Sequence, residues 1–455
     1  MDHKKSKHSN RVNGTGKEQG LHLSRRRLLQ VCAASALGAS GLPRLAKAAA
    51  PNISRKVSIM YWTVLDHKDT KTARSRAEAA MVDLFRKKHP NIEVNVQIVP
   101  WQKMIQQIIL AAGAGKSPDV AMASDRGLTN LVKSGAISPL NDYVGKNWTN
   151  EQKEDWLLPQ KNAIYDGRQM GVYWHTLIGN LLYVNRAMLE AKGAKIPRIW
   201  DETAQVGKLL TQGRVVGYLM GASKDGDAVQ LTNWLIPFLW AAGADWLDER
   251  DRVAFNNEAG AKPFQWLYDM VHTHKIIPEG MVSITRDNLL DSFKAGTTAM
   301  TTISSNTVAA ARGSAVGKDM ILTMDPGLKP DKPDPALSSG KWMVMGKDCK
   351  EKEATGLFIE EQVSPEAQVI NASVAAELPS RKSALKDPWF NTPEAADMKV
   401  MVDYVRQHGR TMPYHEKHLE LSSMVAEATQ QIISRPKSVK DALDEVAKAF
   451  AAQAG

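Results

Sequence analysis

Cysteine is nearly absent from this 455-residue chain, which holds only Cys32 and Cys349. A lone Cys349 in the body of the protein cannot close an internal disulfide or hold a zinc or iron–sulfur site by itself. Long apolar runs are also missing. Leu28 to Leu42 spans 15 residues, many of them Ala, Ser and Gly, whereas a membrane-spanning helix needs roughly 20 strongly apolar residues. No G-x-G-x-x-G fingerprint and no G-x-S-x-G nucleophile elbow occurs. The histidines at 272, 274, 408, 415 and 418 show no ligand spacing with a carboxylate base. Leu110 to Ser117 mimics the end of a phosphate-binding loop, but Leu110 replaces its first glycine and the stretch follows a helical pattern rather than a strand. Asp225-Gly226-Asp227 has no glutamate at EF-hand spacing and reads as a polar loop. These absences lead us to expect no cofactor and no metal.

What is present begins with charge. Lys and Arg number 59, Asp and Glu 49, for a net +10. Residues 1–49 hold ten basic and two acidic residues, so the remainder carries 49 against 47. The basic character belongs to the leading segment, and a nucleic-acid footprint largely disappears with it. Within that segment Arg25, Arg26 and Arg27 precede the mild apolar run, and Ala46-Lys47-Ala48 follows it. Nucleic-acid grip, a membrane anchor and an export address compete here. The run is too short and mild for an anchor. A basic region, a short apolar core and an A-x-A-like site fit a cleaved signal. Ser24-Arg25-Arg26-Arg27-Leu28-Leu29-Gln30 resembles the twin-arginine signal, which prefers Phe at the place of Leu28 and Lys at that of Gln30. We expect residues 1–48 to be this signal, cleaved near Ala48. Leu29-Gln30-Val31 lacks the small residue that a lipobox needs beside Cys32.

Beyond the signal the pattern alternates between periods. Val57, Ile59 and Tyr61 predict a strand, Thr72–Lys88 a helix stopped by Pro90, and Ile92, Val94, Val96 and Ile98 a second strand. A helix over Trp101–Ala114, a strand over Asp119–Ala123 and a helix from Asp125 follow. This β-α-β-α-β-α order predicts an α/β lobe with a largely parallel sheet. Val172–Val184 is an extended apolar stretch suited to crossing between lobes. Helices are expected at 200–211, 228–242, 259–274 and 287–295, and a strand at 297–303. A Pro-rich loop is expected at 327–335, then a helical tail from about 350. Ser438 and Asp441 form a capping-box-like start to the last helix. Asn185 and Asp201 stand where helices should begin, so capping accounts for them without a ligand.

The order of motifs carries more than any one of them. Phe85 to Val94, Trp101, Ala114 to Val120 and Gly135 to Leu140 form one succession. It continues through Asp166-Gly167-Arg168, Tyr183 to Arg186, Pro197 to Glu202, Phe293 to Met300 and Glu377-Leu378-Pro379-Ser380-Arg381, and closes on Ser438, Ala442 and Leu443. The set resembles bacterial extracellular solute-binding proteins of the sugar-binding family, the maltose-binding-protein group. The resemblance implies a periplasmic-binding-protein-like α/β fold: two lobes, hinge crossovers and a ligand cleft. Lobe 1 is expected over 51–175 plus 338–378, and lobe 2 over 180–337 plus 379–455. It also implies a monomeric periplasmic carrier, not an enzyme, that binds a carbohydrate and delivers it to the permease of an ATP-binding-cassette importer. A twin-arginine-exported enzyme acting on carbohydrate or carrying a cofactor is the alternative.

A sugar offers an apolar ring face to aromatic side chains and a hydroxyl edge to polar ones. Ligands of α/β sheets sit beyond the carboxyl ends of the strands. That places Tyr61, Trp62 and Thr63 at the cleft, with Ser124, Asp125 and Arg126 after the third strand. Asp125 and Arg126 match the family pair that contacts sugar. Trp174, His175 and Thr176 lie at the crossover, Ser304, Ser305 and Asn306 follow the Ala299-Met300 strand, and Trp101 and Trp342 stand beside strand ends. The family often has Trp near Asn306 and another aromatic near Ser422; this chain has neither. Trp234, Trp240 and Trp266 fall in amphipathic helices and are expected in the core.

Overall fold

The structure, a computed structural model, describes residues 53–224, 228–412, 415–434 and 437–454. The export segment with Arg25, Arg26 and Cys32, and the Asp225-Gly226-Asp227 turn, lie outside the described residues. Along the chain run β1 (Val57–Thr63), α1 (Ala73–Lys88), β2 (Ile92–Ile98), α2 (Trp101–Gly113), β3 (Val120–Ser124) and α3 (Asp125–Lys133). Then come β4 (Val172–Ile178), β5 (Leu181–Asn185), α4 (Trp200–Leu210), α5 (Val229–Ala242), α6 (Glu258–His272) and α7 (Arg286–Lys294). The strands β6 (Met300–Ile303), β7 (Met320–Met324) and β8 (Ala336–Gly346) follow. Last are α8 (Lys352–Gln362), α9 (Pro365–Ala375), β9 (Leu378–Pro379), α10 (Ala396–His408), α11 (His418–Ser434) and α12 (Val439–Ala454).

The caps follow the chemistry of the residues. Ser124 accepts from the Gly127 N–H at 3.2 Å to open α3, and Asn185 from Met188 at 3.2 Å to open the short helix Arg186–Ala191. The Ser438 hydroxyl accepts from the Asp441 N–H at 3.1 Å ahead of α12. Asp201 departs from expectation. Ile199 holds the cap position of α4, and Asp201 sits inside the first turn, where a carboxylate complements the helix dipole.

Two larger sheets divide the molecule, beside a two-stranded ribbon of Ile164–Tyr165 and Arg168–Gln169. The larger runs β9-β4-β8-β3-β1-β2, with two short strands beside β8. Parallel pairing joins β1, β2 and β3 and the short strand Gly409–Arg410 to β8; β8 pairs antiparallel with β3 and β4, and β9 antiparallel with β4. The expectation of a largely parallel sheet therefore holds only for the N-terminal β-α-β-α-β segment. Elsewhere the chain returns from the other lobe directly as a strand, with no crossover helix to set it parallel. The smaller sheet, β7-β5-β6, is wholly antiparallel.

The apolar run 172–184 is what joins them. Its first half is β4 of the large sheet and its second half β5 of the small one, with only Gly179 and Asn180 between. The Gly179 N–H donates to the Leu337 carbonyl at 2.8 Å. Buried Asn180 accepts from the Leu337 N–H at 2.9 Å and donates toward the Pro335 carbonyl, the Tyr404 hydroxyl and Asp325 at 3.2, 3.0 and 3.4 Å. One side chain thus ties the first crossing to the second, where the chain passes from β7 to β8.

Each lobe has its own aromatic core. Tyr61, Phe85 and Phe358 pack within 5.2 Å under the large sheet. Trp200 stacks on Phe238 at 4.4 Å beside Trp266 and Tyr218 in the second lobe. Trp234 is fully buried there, its indole donating to the Gly221 carbonyl at 3.2 Å. Trp240 is buried in the core as well, while its edge lines a groove with the Arg410 guanidinium 4.3 Å from its ring, and Trp266 packs half-buried against the core.

Two buried carboxyls lie beside the crossing. Burial drives the Asp325 carboxyl up to about 7, against Thr302 and Asn180, whose hydrogen bonds favour its charge. Burial, then Asp325 itself, pushes Asp334 well above the usual carboxylate range although the Trp200 indole donates to it. A folded-state pKa above the unfolded value means that the native state holds the extra protons. Stability from these groups is full below about pH 4 and declines as pH rises through about 7. Thermal melts are expected to fall between pH 5 and 7.5, and Asp325→Asn to flatten that slope. An unchanged slope in the variant would refute the assignment.

Candidate functional site

The carboxyl ends of β1, β3 and β6 and the hinge meet around a cavity of about 370 Å³. Val64, Arg74, Trp101, Gln102, Arg126 and Lys341 line it from the first lobe. Gln230, Asn233, Arg286, Asp287, Ser304 and Asn306 line it from the second, and Leu177, Ile178 and Gly179 form its hinge side. A side-chain Cβ on Gly179 would lie 3.0 Å from Leu337 and 3.3 Å from Asn233, so glycine lets α5 approach the hinge. The Arg126 guanidinium reaches from α3 to α5, donating to Asn233 Oδ1 at 3.1 Å and toward Thr232 at 3.5 Å. A second groove, about 450 Å³, is walled by Asp125, Thr129, Tyr165, Trp240, Trp342 and Arg410. Adjacent residues of one helix start therefore face different hollows.

Behind the first cavity lies a buried ionic cluster. Glu377, one residue before β9, accepts from Arg74 Nε at 2.6 Å and from Lys341 Nζ at 3.4 Å, and pairs closely with His175 Nδ1. Lys341 on β8 and His175 on β4 are register partners, so their side chains share a face. A bulge follows at once: Trp342 pairs with Tyr173, leaving Trp174 as the extra residue. Burial pushes the Glu377 carboxyl up, but Lys341, Arg74 and His175 outweigh it and hold it well below the usual range. Burial, with Arg74 nearby, pulls the Lys341 ammonium down to about 8 despite Glu377 and Glu78. Burial likewise lowers His175 more than Glu377 raises it.

The residues expected at the cleft separate into groups. Trp101, Arg126, Ser304 and Asn306 line the first cavity, and Asp125 and Trp342 the second. Tyr61, Thr63, Trp174, His175, Thr176 and Ser305 are buried at or below 1 % exposure and line neither cavity. Trp62 at 8 % and half-buried Ser124 line neither as well. The reason is the layering. β1 and β4 lie inside the sheet with both faces covered, so their end residues turn into the lobe: Tyr61 toward Phe358, His175 toward Glu377. Ser124 is spent on capping α3.

Arg74, Gln102, Gln230, Asn233, Arg286 and Lys341 were not singled out from the sequence. Lys341 carried a legible signal, a single lysine in the otherwise apolar run Trp342 to Met345 and its lead-in, since a buried ammonium needs a partner. The others are brought in by distant elements.

Asp125 is bound into its own lobe. Its Oδ2 accepts from the Gly340 N–H at 2.6 Å and its Oδ1 from the Trp342 indole, whose ring stacks on Tyr173 at 3.7 Å. A Cβ on Gly340 would fall 1.9 Å from that tyrosine ring, so β8 is built to receive it. Burial raises the Asp125 carboxyl to about 7 against these donors and Arg126. Asp125→Ala leaves two buried donors unpaired and should cost about 2–4 kcal/mol of stability. Urea denaturation of the unliganded protein checks this, and a midpoint within error of wild type would refute it.

Residues 68–369, about two thirds of the chain, match the family model described as bacterial extracellular solute-binding protein. A binding protein of Brucella abortus (strain 2308) is 25% identical over 218 residues, 48% of this chain and 51% of its own. The chain spans about half the length of the curated relatives it matches. The maltose-bound MalE3 of T. maritima superposes with a TM-score of 0.74 at 22% identity, covering 86% of this chain and 98% of that one. UgpB of Mycobacterium tuberculosis, in complex with glycerophosphocholine, gives 0.73 at 19% identity, covering 87% and 98%. Two sheets bridged by short crossings, a cavity lined from both, and a match over most of the chain agree: the protein belongs to the bacterial extracellular solute-binding proteins.

Proposed function

We propose that the protein is a monomeric periplasmic carrier that captures a carbohydrate between its lobes, unreacted, and delivers it to the permease of an ATP-binding-cassette importer. The observation that carries this reading is the cavity of about 370 Å³ whose polar groups come from both lobes. A solute held by Arg126 and Gln102 on one side and Asn233, Gln230 and Asn306 on the other is bound fully only when the lobes meet. Binding and closure are then one equilibrium. Trp101 at the start of α2 supplies a flat apolar face for a sugar ring. The solved relatives with maltose and with glycerophosphocholine add support for a polyhydroxylated ligand. In this reading lobe 1 comprises 51–175 plus 338–378 and lobe 2 comprises 180–337 plus 379–455. Export runs by the twin-arginine route, read from Arg25 and Arg26, with cleavage near Ala48.

Three measurements test the proposal. A carbohydrate-library thermal shift on the mature protein should find ligands that raise the melting temperature, since about 100-fold excess over Kd contributes about 2.7 kcal/mol. The sugar should be recovered with its mass unchanged; cleaved or oxidised product would defeat the carrier reading. Trp101→Ala and Asn233→Ala should each weaken binding about 10- to 100-fold, in line with roughly 1–3 kcal/mol for a lost stacking or polar contact. Separately, Arg25→Lys with Arg26→Lys should retain the precursor in the cytoplasm, and normal export of that variant would overturn the assigned route.

A further inference from the structure

The charged side chains that line the cavity are mostly of one sign. Arg74, Arg126, Arg286 and Lys341 face it, against a single acid, Asp287, which is the partner of Arg286 at 2.8 Å. The balancing carboxylates stand behind the wall. Glu377 takes Arg74 and Lys341 from the far side, and buried Glu78 pairs with His67. Asp125, behind Arg126, is spent on Gly340 and Trp342.

Lys341 is the telling residue. It is only 3 % exposed, and its contact with Glu377 is long, 3.4 Å, whereas Arg74 already occupies the same oxygen at 2.6 Å. An ammonium has three donors. Removing one from water without full pairing is costly, and such sites persist where a ligand completes the pairing. Neutral hydroxyls can be recognised by amides and serines alone, which the cavity also has in Gln102, Gln230, Asn233, Ser304 and Asn306. The guanidinium groups of Arg74 and Arg126 and a dehydrated ammonium add the means to bind and neutralise an anion.

Resting on the carrier reading above, we infer that the cleft selects a carbohydrate bearing a negative charge, a sugar carboxylate or sugar phosphate, with its anionic group between Lys341, Arg74 and Arg126 and its hydroxyls toward the second lobe. The neutral sugars are then the poorer ligands. Low net charge of the mature chain does not oppose this, because selection is set by the groups at the cavity wall.

Titration calorimetry with matched pairs tests it: glucose against glucuronate and glucose 6-phosphate, and glycerol against glycerol 3-phosphate, at low and moderate salt. The charged member of at least one pair should bind at least about tenfold more tightly, more weakly as salt rises. The two anion arms separate carboxylate from phosphate. Arg126→Gln and Lys341→Met should each weaken the charged member far more than the neutral one, bringing the two to within about threefold of each other, and a preference kept at about tenfold in both variants would overturn the assignment. Far-ultraviolet circular dichroism checks that each variant is folded; should Lys341→Met not fold, Arg74→Gln and Arg126→Gln carry the comparison. Neutral members that bind as tightly as their charged partners in every pair overturn the charge preference and leave the carrier reading standing. Binding of neither kind, across the carbohydrate library as well, overturns both.

Discussion

Glu377 holds the site together. It sits one residue before β9, at the edge of the large sheet, and gathers Arg74 from α1, His175 from β4 and Lys341 from β8. Four segments separated by up to about three hundred residues converge on one carboxylate that is 1 % exposed. A charge buried to that degree is tolerable only when its partners are fixed. Packing of α8 and α9 over the sheet, and the close β4–β8 pairing, supply that fixity. The same cluster forms the rear wall of the cleft. The partners that balance the buried Glu377 charge, Arg74 and Lys341, are therefore also charges that face the cavity.

The two-lobed architecture was largely legible in the sequence. Period-two and helical alternation located β1, β2, β3, α1 and α2 to within a residue or two, because each buries one face against a layer. The 172–184 run read as a crossing because it is a long extended apolar stretch, and it does pass from one sheet to the other, at Gly179 and Asn180. Strand direction was not legible. Parallel or antiparallel pairing depends on how the chain returns, and the segment at 336–346 returns from the second lobe.

The cleft was legible only in part, for a simple geometric reason. Counting residues past a strand end tells which segment borders the cleft, but not which way a side chain turns. Trp101, Arg126, Ser304 and Asn306 turn outward, while Tyr61 and His175 turn inward to partners that lie far off in sequence, Phe358 and Glu377. Asp125, expected among the ligand groups, borders the second groove while its carboxylate is engaged by β8. The second-lobe contributors Gln230, Asn233 and Arg286 sit on helices whose polar face has no marker in one sequence.

The brevity of the Gly179–Asn180 link has a mechanical outcome. Two residues give very few torsions, and Asn180 anchors the neighbouring crossing as well, so the pivot is a line rather than a flexible region. Rotation about a line near the back of the cavity displaces the far rim most and the hinge wall least. For the carrier proposed above, Leu177 and Ile178 would stand already in place on the hinge side, and the distal rim would travel furthest to close over a solute.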